Sequence, residues 1–177
     1  MMTQASKKPA IKFRRGQVIQ GKWHKKTYHV IRELGSGAVG TVYLCVADGR
    51  KVALKVSEQM SSISSEVNVL KSFQSVQGTR LGPSLIDVDD YISERGHPFP
   101  FYVMEYVEGI PLHQFIQRNG REWLFSLLIG LAKDLEALHQ MGYVFGDLKM
   151  ENLIVTSRPI RLRWVDVGGT TLQGRAI

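Results

Sequence analysis

One stretch near the end of the chain, residues 143–169, limits the fold more than any other. It places Asp147, Lys149 and Asn152 at the spacing D-x-K-x-x-N and adds a second aspartate, Asp166, further along. Two short apolar runs separate Asn152 from Asp166, and this pattern is typical of a β-hairpin. The stretch therefore predicts a hairpin that brings Asp166 back beside Asn152.

These four side chains suit the chemistry of phosphoryl transfer. Asp147 can accept a hydrogen bond from an attacking hydroxyl, and Lys149 can neutralise charge on the transferred group. Asn152 and Asp166 offer oxygen ligands to a hard cation. The same residue types also occur in ordinary surface loops, because Asp, Asn and Gly are common in turns. The upstream motifs have to decide between the two interpretations.

A glycine-rich segment, residues 34–43, has the form G-x-G-x-x-G-x-V and lies between two strand-like runs. In this setting the backbone of Gly35, Gly37 and Gly40 can close over the phosphates of a nucleotide. Dinucleotide-binding folds instead place such glycines between a strand and a helix. A glycine-rich hairpin without a ligand remains the alternative.

The next strand, predicted over residues 51–56, puts Ala53 and Lys55 on one face. The small Ala53 leaves room for a flat ring, and Lys55 can reach the non-transferred phosphates; a lysine that merely ends a strand is the alternative. A helix predicted over residues 61–73 carries Glu66, which is expected to orient Lys55 and keep it charged. A solvated carboxylate is the usual alternative for such a residue.

The rest of the chain predicts an α+β fold. Strands over residues 85–91 and 101–106 complete a five-stranded small lobe, and residues 105–109 form a connector whose backbone could pair with an adenine edge. A helix over residues 122–140 follows. Its predicted buried face consists of Trp123, Leu127, Leu128, Leu131, Leu135 and Leu138.

Charge is concentrated at the N-terminus, since residues 1–32 contain nine Lys or Arg and no acid. Such an arm, expected to be flexible over residues 1–16, could bind nucleic acid or an anionic surface, although solvated basic tails are common.

Cys45 is the only cysteine, which excludes an internal disulfide and favours a reducing, cytoplasmic location. The longest apolar run, residues 123–132, is too short to span a bilayer.

Taken together, these motifs resemble those of the eukaryotic-like (Hanks-type) serine/threonine protein kinases, most closely a bacterial type from spore-forming Bacillus relatives. The resemblance covers residues 29–177. It rests on the glycine loop, V-A-L-K, M-E-Y-V-E-G, L-H-x-x-G and D-L-K-x-x-N. The chain departs from the family at residues 145–147, where F-G-D replaces H-R-D, and at residues 166–168, where D-V-G replaces D-F-G.

The resemblance implies a protein-kinase-like domain organisation. After the arm, residues 17–107 would form a five-stranded N-lobe with one helix. Residues 108–177 would form an incomplete, mainly helical C-lobe. Only nine residues follow Gly168, so the activation segment and the later helices are expected to be missing. The chain is therefore expected to be a truncated form with weak or no activity.

The resemblance also implies a site in which ATP lies between the lobes. Mg²⁺ would be held by Asn152 and Asp166, and Asp147 and Lys149 would direct the phosphate to a serine or threonine hydroxyl of a protein substrate. The residues implied to contact ATP are Leu34, Gly35, Ser36, Gly37, Gly40, Val42, Ala53, Lys55, Glu66, Glu105, Val107 and Leu153.

Two other functions remain open from the sequence. A small-molecule phosphotransferase of the aminoglycoside-kinase kind also carries a G-D pair before its catalytic loop, as at Gly146 and Asp147, although Lys149 and the glycine loop argue against it. The third possibility is a non-catalytic module that binds a nucleotide or DNA.

Overall fold

The computed structural model describes residues 11–74, 82–145, 149–165 and 170–172. Within these ranges the chain forms both sheets and helices, as the α+β prediction requires. The two aspartates of the predicted catalytic hairpin lie outside the described residues.

The chain divides into two compact units, and each unit contains two separate segments. Residues 1–64 and 86–104 form the first unit, and residues 65–85 and 105–177 form the second. The last crossover, after Met104, therefore falls three residues before the lobe boundary expected after Val107. The sequence alone did not anticipate that residues 65–85 group with the second unit.

The first unit is built on a six-stranded sheet with the order β1-β2-β3-β4-β6-β5. The strands are β1 (Val18–Gln20), β2 (Thr27–Gly37), β3 (Gly40–Ala47), β4 (Arg50–Val56), β5 (Leu85–Ile92) and β6 (Pro98–Glu105). The sequence predicted five strands. The structure has six, and the first of them, β1, pairs with the start of β2 as a short antiparallel hairpin at the sheet edge.

Alternate residues of the inner strands build the core of this unit on one face of the sheet. They are Tyr43 and Cys45 on β3, Val52, Leu54 and Val56 on β4, and Phe99, Phe101 and Val103 on β6. The intervening residues of β3 and β4, including Ala53 and Lys55, lie on the opposite face. The alternation predicted for residues 51–56 is therefore present.

Phe13 closes one end of this core and corrects the prediction of a flexible arm over residues 1–16. Its ring packs against Tyr43 and Tyr91, at centroid distances of 5.2 and 5.1 Å. Its amide donates a hydrogen bond of 3.1 Å to the Tyr43 hydroxyl. Residues 11–16 belong to the folded unit because one buried aromatic ring anchors them.

A buried carboxylate, Asp89 on β5, holds the loop between β1 and β2. It accepts hydrogen bonds from the backbone amides of Trp23, His24 and Asp90, at 2.9, 2.8 and 2.7 Å. Gly21 lies so close to the carboxylate that a Cβ there would collide with it. Burial acts to raise the pKa of Asp89, but the three amides outweigh it and hold the pKa below its ordinary value.

The described residues contain three α-helices, the first between β4 and β5 and the other two after β6. They are α1 (Met60–Gln74), α2 (Leu112–Asn119) and α3 (Glu122–Gln140). The last turn of α1 contacts Tyr143: the Ser72 and Tyr143 hydroxyls are 2.6 Å apart, and the Phe73 ring meets the Tyr143 ring edge-on. These contacts explain why this end of α1 groups with the second unit.

The second unit also contains two small sheets, with the orders β10-β9-β7 and β11-β8. Their strands are β7 (Ile110–Pro111), β8 (Tyr143–Phe145), β9 (Leu153–Ser157), β10 (Ile160–Trp164) and β11 (Thr170–Leu172). Helix α3 packs against β8 and β10. The hairpin predicted from the two apolar runs is the antiparallel pair β9–β10.

Helix α3 has the predicted bounds but a narrower buried face. Its buried residues are Leu127, Leu131, Asp134 and Leu138, which follow one helical stripe. Trp123 and Leu128, predicted to be buried, are 40% and 44% exposed. Among the described residues, no helix is long and apolar enough to cross a membrane.

We predict that Asp89→Asn lowers the free energy of unfolding at pH 7 by about 2–3 kcal/mol, because an amide NH₂ would face a backbone N–H. A depressed pKa stabilises the fold above the unfolded value of 3.8, and this contribution disappears as pH falls through the folded value. The variant's deficit should therefore shrink in urea unfolding at pH 3. Asp90→Asn is the control, since the Asp90 carboxylate accepts the indole N–H of Trp23 at an exposed position. A deficit that is the same at both pH values would contradict the role of the Asp89 charge.

Candidate functional site

The glycine-rich segment is the tight hairpin between β2 and β3. Gly37 pairs with Gly40 at its end, and Gly35 lies opposite Val42. Leu34 is half-buried, whereas Gly35, Ser36 and Gly37 are exposed. The strand-loop-strand setting predicted from the sequence is therefore present, and it is not the strand-helix setting of dinucleotide folds.

One face of the sheet carries the other predicted nucleotide contacts of the first unit. Val42 on β3 lies opposite Lys55 on β4, and Leu44 lies opposite Ala53. Because side chains alternate along a strand, Val42, Ala53 and Lys55 share one face. Ala53 and Lys55 are buried, at 4% and 7% exposure.

Glu66 lies in the middle of α1 and is 5% exposed. A carboxylate with so little solvent contact requires a polar partner. Both Glu66 and Lys55 make a polar or electrostatic interaction in the structure. Lys55 belongs to the first unit and Glu66 to the second. The ion pair between them stays a prediction.

The connector predicted to pair with adenine lies against the catalytic hairpin. Ile110 on β7 pairs with Val155 on β9. A Cβ at Gly109 would collide with the Val155 carbonyl and lie 2.5 Å from the Ile154 side chain, so this approach requires glycine. Val107, two residues earlier, is buried at 4% exposure.

The hairpin itself is fixed at its open end by backbone hydrogen bonds. The Asn152 amide donates to the Lys149 carbonyl at 3.0 Å, and the Val165 amide donates to the Asn152 carbonyl at 3.1 Å. Lys149 is exposed and Asn152 is half-buried. Leu153, the first residue of β9, pairs with Trp164 and is buried.

Asp147 and Asp166 lie outside the described residues. Val165, the residue directly before Asp166, is hydrogen-bonded to Asn152. The backbone at Asn152 is thus joined to the residue before Asp166, as the hairpin prediction required.

Arg163 on β10 is the main residue of this region that the sequence analysis missed. Its guanidinium donates to both carboxylate oxygens of Glu105, at 2.7 and 2.9 Å, and to the Gly82 carbonyl at 2.9 Å. Glu105 also accepts from the Ser84 amide at 3.2 Å. The buried arginine therefore ties the start of the connector to the strand that leads to Asp166.

A sequence signal for Arg163 was present. The residue interrupts the apolar run Leu162 to Val165, and a charge inside a buried strand requires a charged or polar partner. Glu105 was assigned to the connector for its backbone alone. Its side chain turns out to form the bidentate partner.

A second ion pair holds α3 on the same strand. Arg161 lies 3.4 Å from Asp134, which interrupts the apolar stripe of α3. Burial raises the pKa of Asp134 above its ordinary value, and Arg161 offsets part of that rise.

Comparison with known proteins identifies relatives along nearly the whole chain. Residues 28–174 match the family model described as the protein kinase domain. The chain is 48% identical along its full length to the serine/threonine-protein kinase YabT of Bacillus subtilis and covers 53% of that protein. It is 32% identical to the serine/threonine-protein kinase pkn2 of Myxococcus xanthus, over 80% of this chain and 18% of that protein.

A solved structure agrees with the fold. The crystal structure of another kinase domain superposes with a TM-score of 0.71, at 20% sequence identity, over 94% of this chain and 56% of that one. The chain thus spans about half the length of the Bacillus relative and of this structure.

We predict that Arg163→Met lowers the free energy of unfolding by about 2–4 kcal/mol, because it leaves the Glu105 carboxylate and the Gly82 carbonyl without their cation. Arg161→Met is the matched control on the same strand. Its effect should be below about 1 kcal/mol, since Arg161 is 31% exposed and its contacts are long. Equal losses in urea unfolding would contradict the structural role of Arg163. Adding Glu105→Gln to Arg163→Met should restore part of the loss.

Proposed function

Because the chain belongs to the protein kinase domain family, we propose that it binds ATP and transfers the γ-phosphoryl group to a serine or threonine hydroxyl of a protein. Protein kinases act with ATP and divalent metal ions. The observation that carries the proposal for this chain is the β9–β10 hairpin, in which Asn152 is hydrogen-bonded to the residue before Asp166. The serine/threonine-protein kinases of B. subtilis and M. xanthus support the choice of hydroxyl.

In the proposed site, the first unit holds the nucleotide. The backbone amides of the hairpin around Gly35, Gly37 and Gly40 cover the phosphates, with Leu34 and Ser36 beside them. Val42 and Ala53 contact the adenine ring, and Lys55, on the same face, contacts the non-transferred phosphates. Its burial supports this role, because a desolvated ammonium attracts phosphate more strongly than one in water. Glu66 orients the lysine.

The second unit supplies the groups that act on the hydroxyl. Asp147 accepts the hydrogen bond of the attacking hydroxyl and directs its oxygen toward phosphorus. Lys149, which is exposed at the start of the turn before β9, offsets negative charge on the transferred group. The connector from Glu105 to Val107 offers backbone groups to the adenine edge, and Leu153 packs below the ring.

Mg²⁺ fits the donor set of the proposed metal site. Asn152 offers an amide oxygen and Asp166 a carboxylate, and both are the hard oxygen ligands that this ion prefers. When bound, Mg²⁺ would neutralise charge on the phosphates. The two backbone hydrogen bonds at Asn152 support this assignment, because they fix the backbone from which the side-chain amide extends.

The alternatives are less well supported. The family match over residues 28–174 favours a protein kinase over a small-molecule phosphotransferase, although the G-D pair at Gly146 and Asp147 is a feature that this chain shares with the phosphotransferases. A non-catalytic nucleotide-binding module would share the binding residues but would not depend on Asp147. A cytoplasmic location is proposed from the free, buried Cys45, which suits a reducing compartment.

We predict that ATP with Mg²⁺ raises the melting temperature of the chain and that Lys55→Met abolishes most of this shift, because the phosphates lose a buried cation. Asp147→Asn should retain the shift. Transfer is measured with labelled ATP in a version extended by the remaining half of the B. subtilis relative, since the chain spans about half of it. There, Asp147→Asn should lower transfer about 10²- to 10⁴-fold.

Two results would count against this assignment. Transfer that survives Asp147→Asn undiminished would remove Asp147 from the catalytic role. A thermal shift unchanged by Lys55→Met would remove Lys55 from the phosphate site. Arg50→Met on the same strand is the control, because Arg50 is exposed and lies at the far end of β4.

We further propose that the basic N-terminal region binds nucleic acid or another polyanion. The loop between β1 and β2 presents Lys22, Lys25 and Lys26 with an exposed Trp23. The Lys22 ammonium lies 4.2 Å from the Trp23 ring centre. Basic side chains interleaved with an exposed aromatic ring suit a polyanion that carries bases.

We predict that Lys25→Glu with Lys26→Glu weakens retention on immobilised DNA and on heparin, and lowers the salt dependence of binding, because two phosphate contacts are lost. The control is Lys71→Glu with Lys133→Glu, which makes the same change of net charge at exposed positions elsewhere. Equal losses in the two double variants would show that only net charge matters and would overturn the proposal of a local surface.

A further inference from the structure

Ser57 directly follows β4, two residues beyond Lys55, and its residue exposure is only 1%. Its hydroxyl donates a hydrogen bond to the backbone carbonyl of Val39, at the tip of the glycine-rich hairpin. The same oxygen accepts from the Gln59 amide at 3.0 Å. The Ser57 amide donates to the Pro100 carbonyl at 3.1 Å, which fixes the residue to the start of β6.

The backbone of the hairpin is close enough for this contact because of Gly40. A Cβ at Gly40 would collide with the Val56 carbonyl and lie 3.3 Å from the Ser57 Cβ. Glycine therefore allows the returning arm of the hairpin to lie directly on the end of β4. The hydroxyl of Ser57 is then within hydrogen-bonding distance of Val39.

The contact is made at the part of the hairpin that the strand ladder does not hold. The last ladder pair is Gly37 with Gly40, and Ala38 and Val39 form the exposed two-residue turn beyond it. Glycine-rich backbone is conformationally permissive, so its position depends strongly on any additional contact. Ser57 provides that contact from a buried position.

We infer that Ser57 is a positioning residue for the glycine-rich hairpin. Its hydroxyl holds the turn at Val39 at a fixed distance from Lys55, because Lys55 and Ser57 are separated by a single residue of a rigid strand end. The turn amides and the Lys55 ammonium then meet the phosphates of one nucleotide together. The inference rests on the proposed function, since it assigns Ser57 to the phosphate-binding part of that site.

The inference distinguishes the phosphates from the rest of the nucleotide. Adenosine lacks the groups that the hairpin covers, so its binding should not depend on Ser57. If Ser57 had a purely structural role, its loss would weaken the affinities for ATP and for adenosine equally. The ratio of the two affinities is therefore the informative quantity.

The test compares the unaltered chain with Ser57→Ala, which removes the hydroxyl from a buried site without adding volume. Ser62→Ala is the matched control, because Ser62 lies nearby in α1 and its hydroxyl contacts only the Gln59 side chain among the described residues. Amide hydrogen exchange over residues 38–41 is measured without nucleotide. Affinities for ATP with Mg²⁺ and for adenosine are measured by calorimetry.

We expect Ser57→Ala to speed amide exchange at residues 38–41 about three- to tenfold and to weaken the affinity for ATP about three- to tenfold. The affinity for adenosine and the amide exchange in β4 should be unchanged. Ser62→Ala should match the unaltered chain. Unchanged exchange at the turn, or equal weakening of ATP and adenosine, would overturn the inference. If the unaltered chain binds no ATP, the proposed function fails, and the exchange rates alone decide whether Ser57 holds the hairpin.

Discussion

The bidentate ion pair between Arg163 and Glu105 is the interaction on which the second unit depends most. A guanidinium at 8% exposure is costly unless its donors are satisfied, and here two carboxylate oxygens and the Gly82 carbonyl accept three hydrogen bonds from it. The pair joins the connector to β10, while the ladder between β7 and β9 joins the same connector to the other strand of the hairpin. Two different kinds of contact therefore fix the connector to the two strands of the hairpin that follows Asn152.

The first unit solves a different problem, because the glycine-rich hairpin, which is proposed to cover a nucleotide, is exposed over Gly35, Ser36 and Gly37. The register between β3 and β4 places Val42 opposite Lys55, so the order of side chains on that face is set by the sheet. The hairpin above it has little side-chain mass and relies on close backbone approach at Gly40. A rigid face and a light, permissive loop are the combination expected where a backbone must close on phosphate.

Much of this architecture could be read from the sequence, because motifs with fixed spacing report local geometry. The hairpin after Asn152, the strand with Lys55 and the bounds of α3 all follow from alternation, helical period and turn residues. The sequence could not show the anchoring of residues 11–16 by Phe13, because it depends on partners distant along the chain, Tyr43 and Tyr91. The sequence also predicted that Leu128 is buried. The helical period identifies which face of α3 is apolar, but not how much of that face the neighbouring elements cover.

The buried polar residues explain the largest group of missed features. Periodicity treats Asp89, Ser57 and Arg163 as interruptions of apolar strands, and each would ordinarily be expected at the surface. In the structure each of the three is buried and hydrogen-bonded. Asp89 and Ser57 bond to the backbone of a loop, and Arg163 bonds to the side chain of Glu105 at the start of the connector. A buried polar side chain on or directly after a strand is suited to this role, because the strand fixes its position and desolvation makes its hydrogen bonds costly to break. Polar interruptions next to a functional loop are therefore positions where sequence reading should look for a holding contact before it assigns solvent exposure.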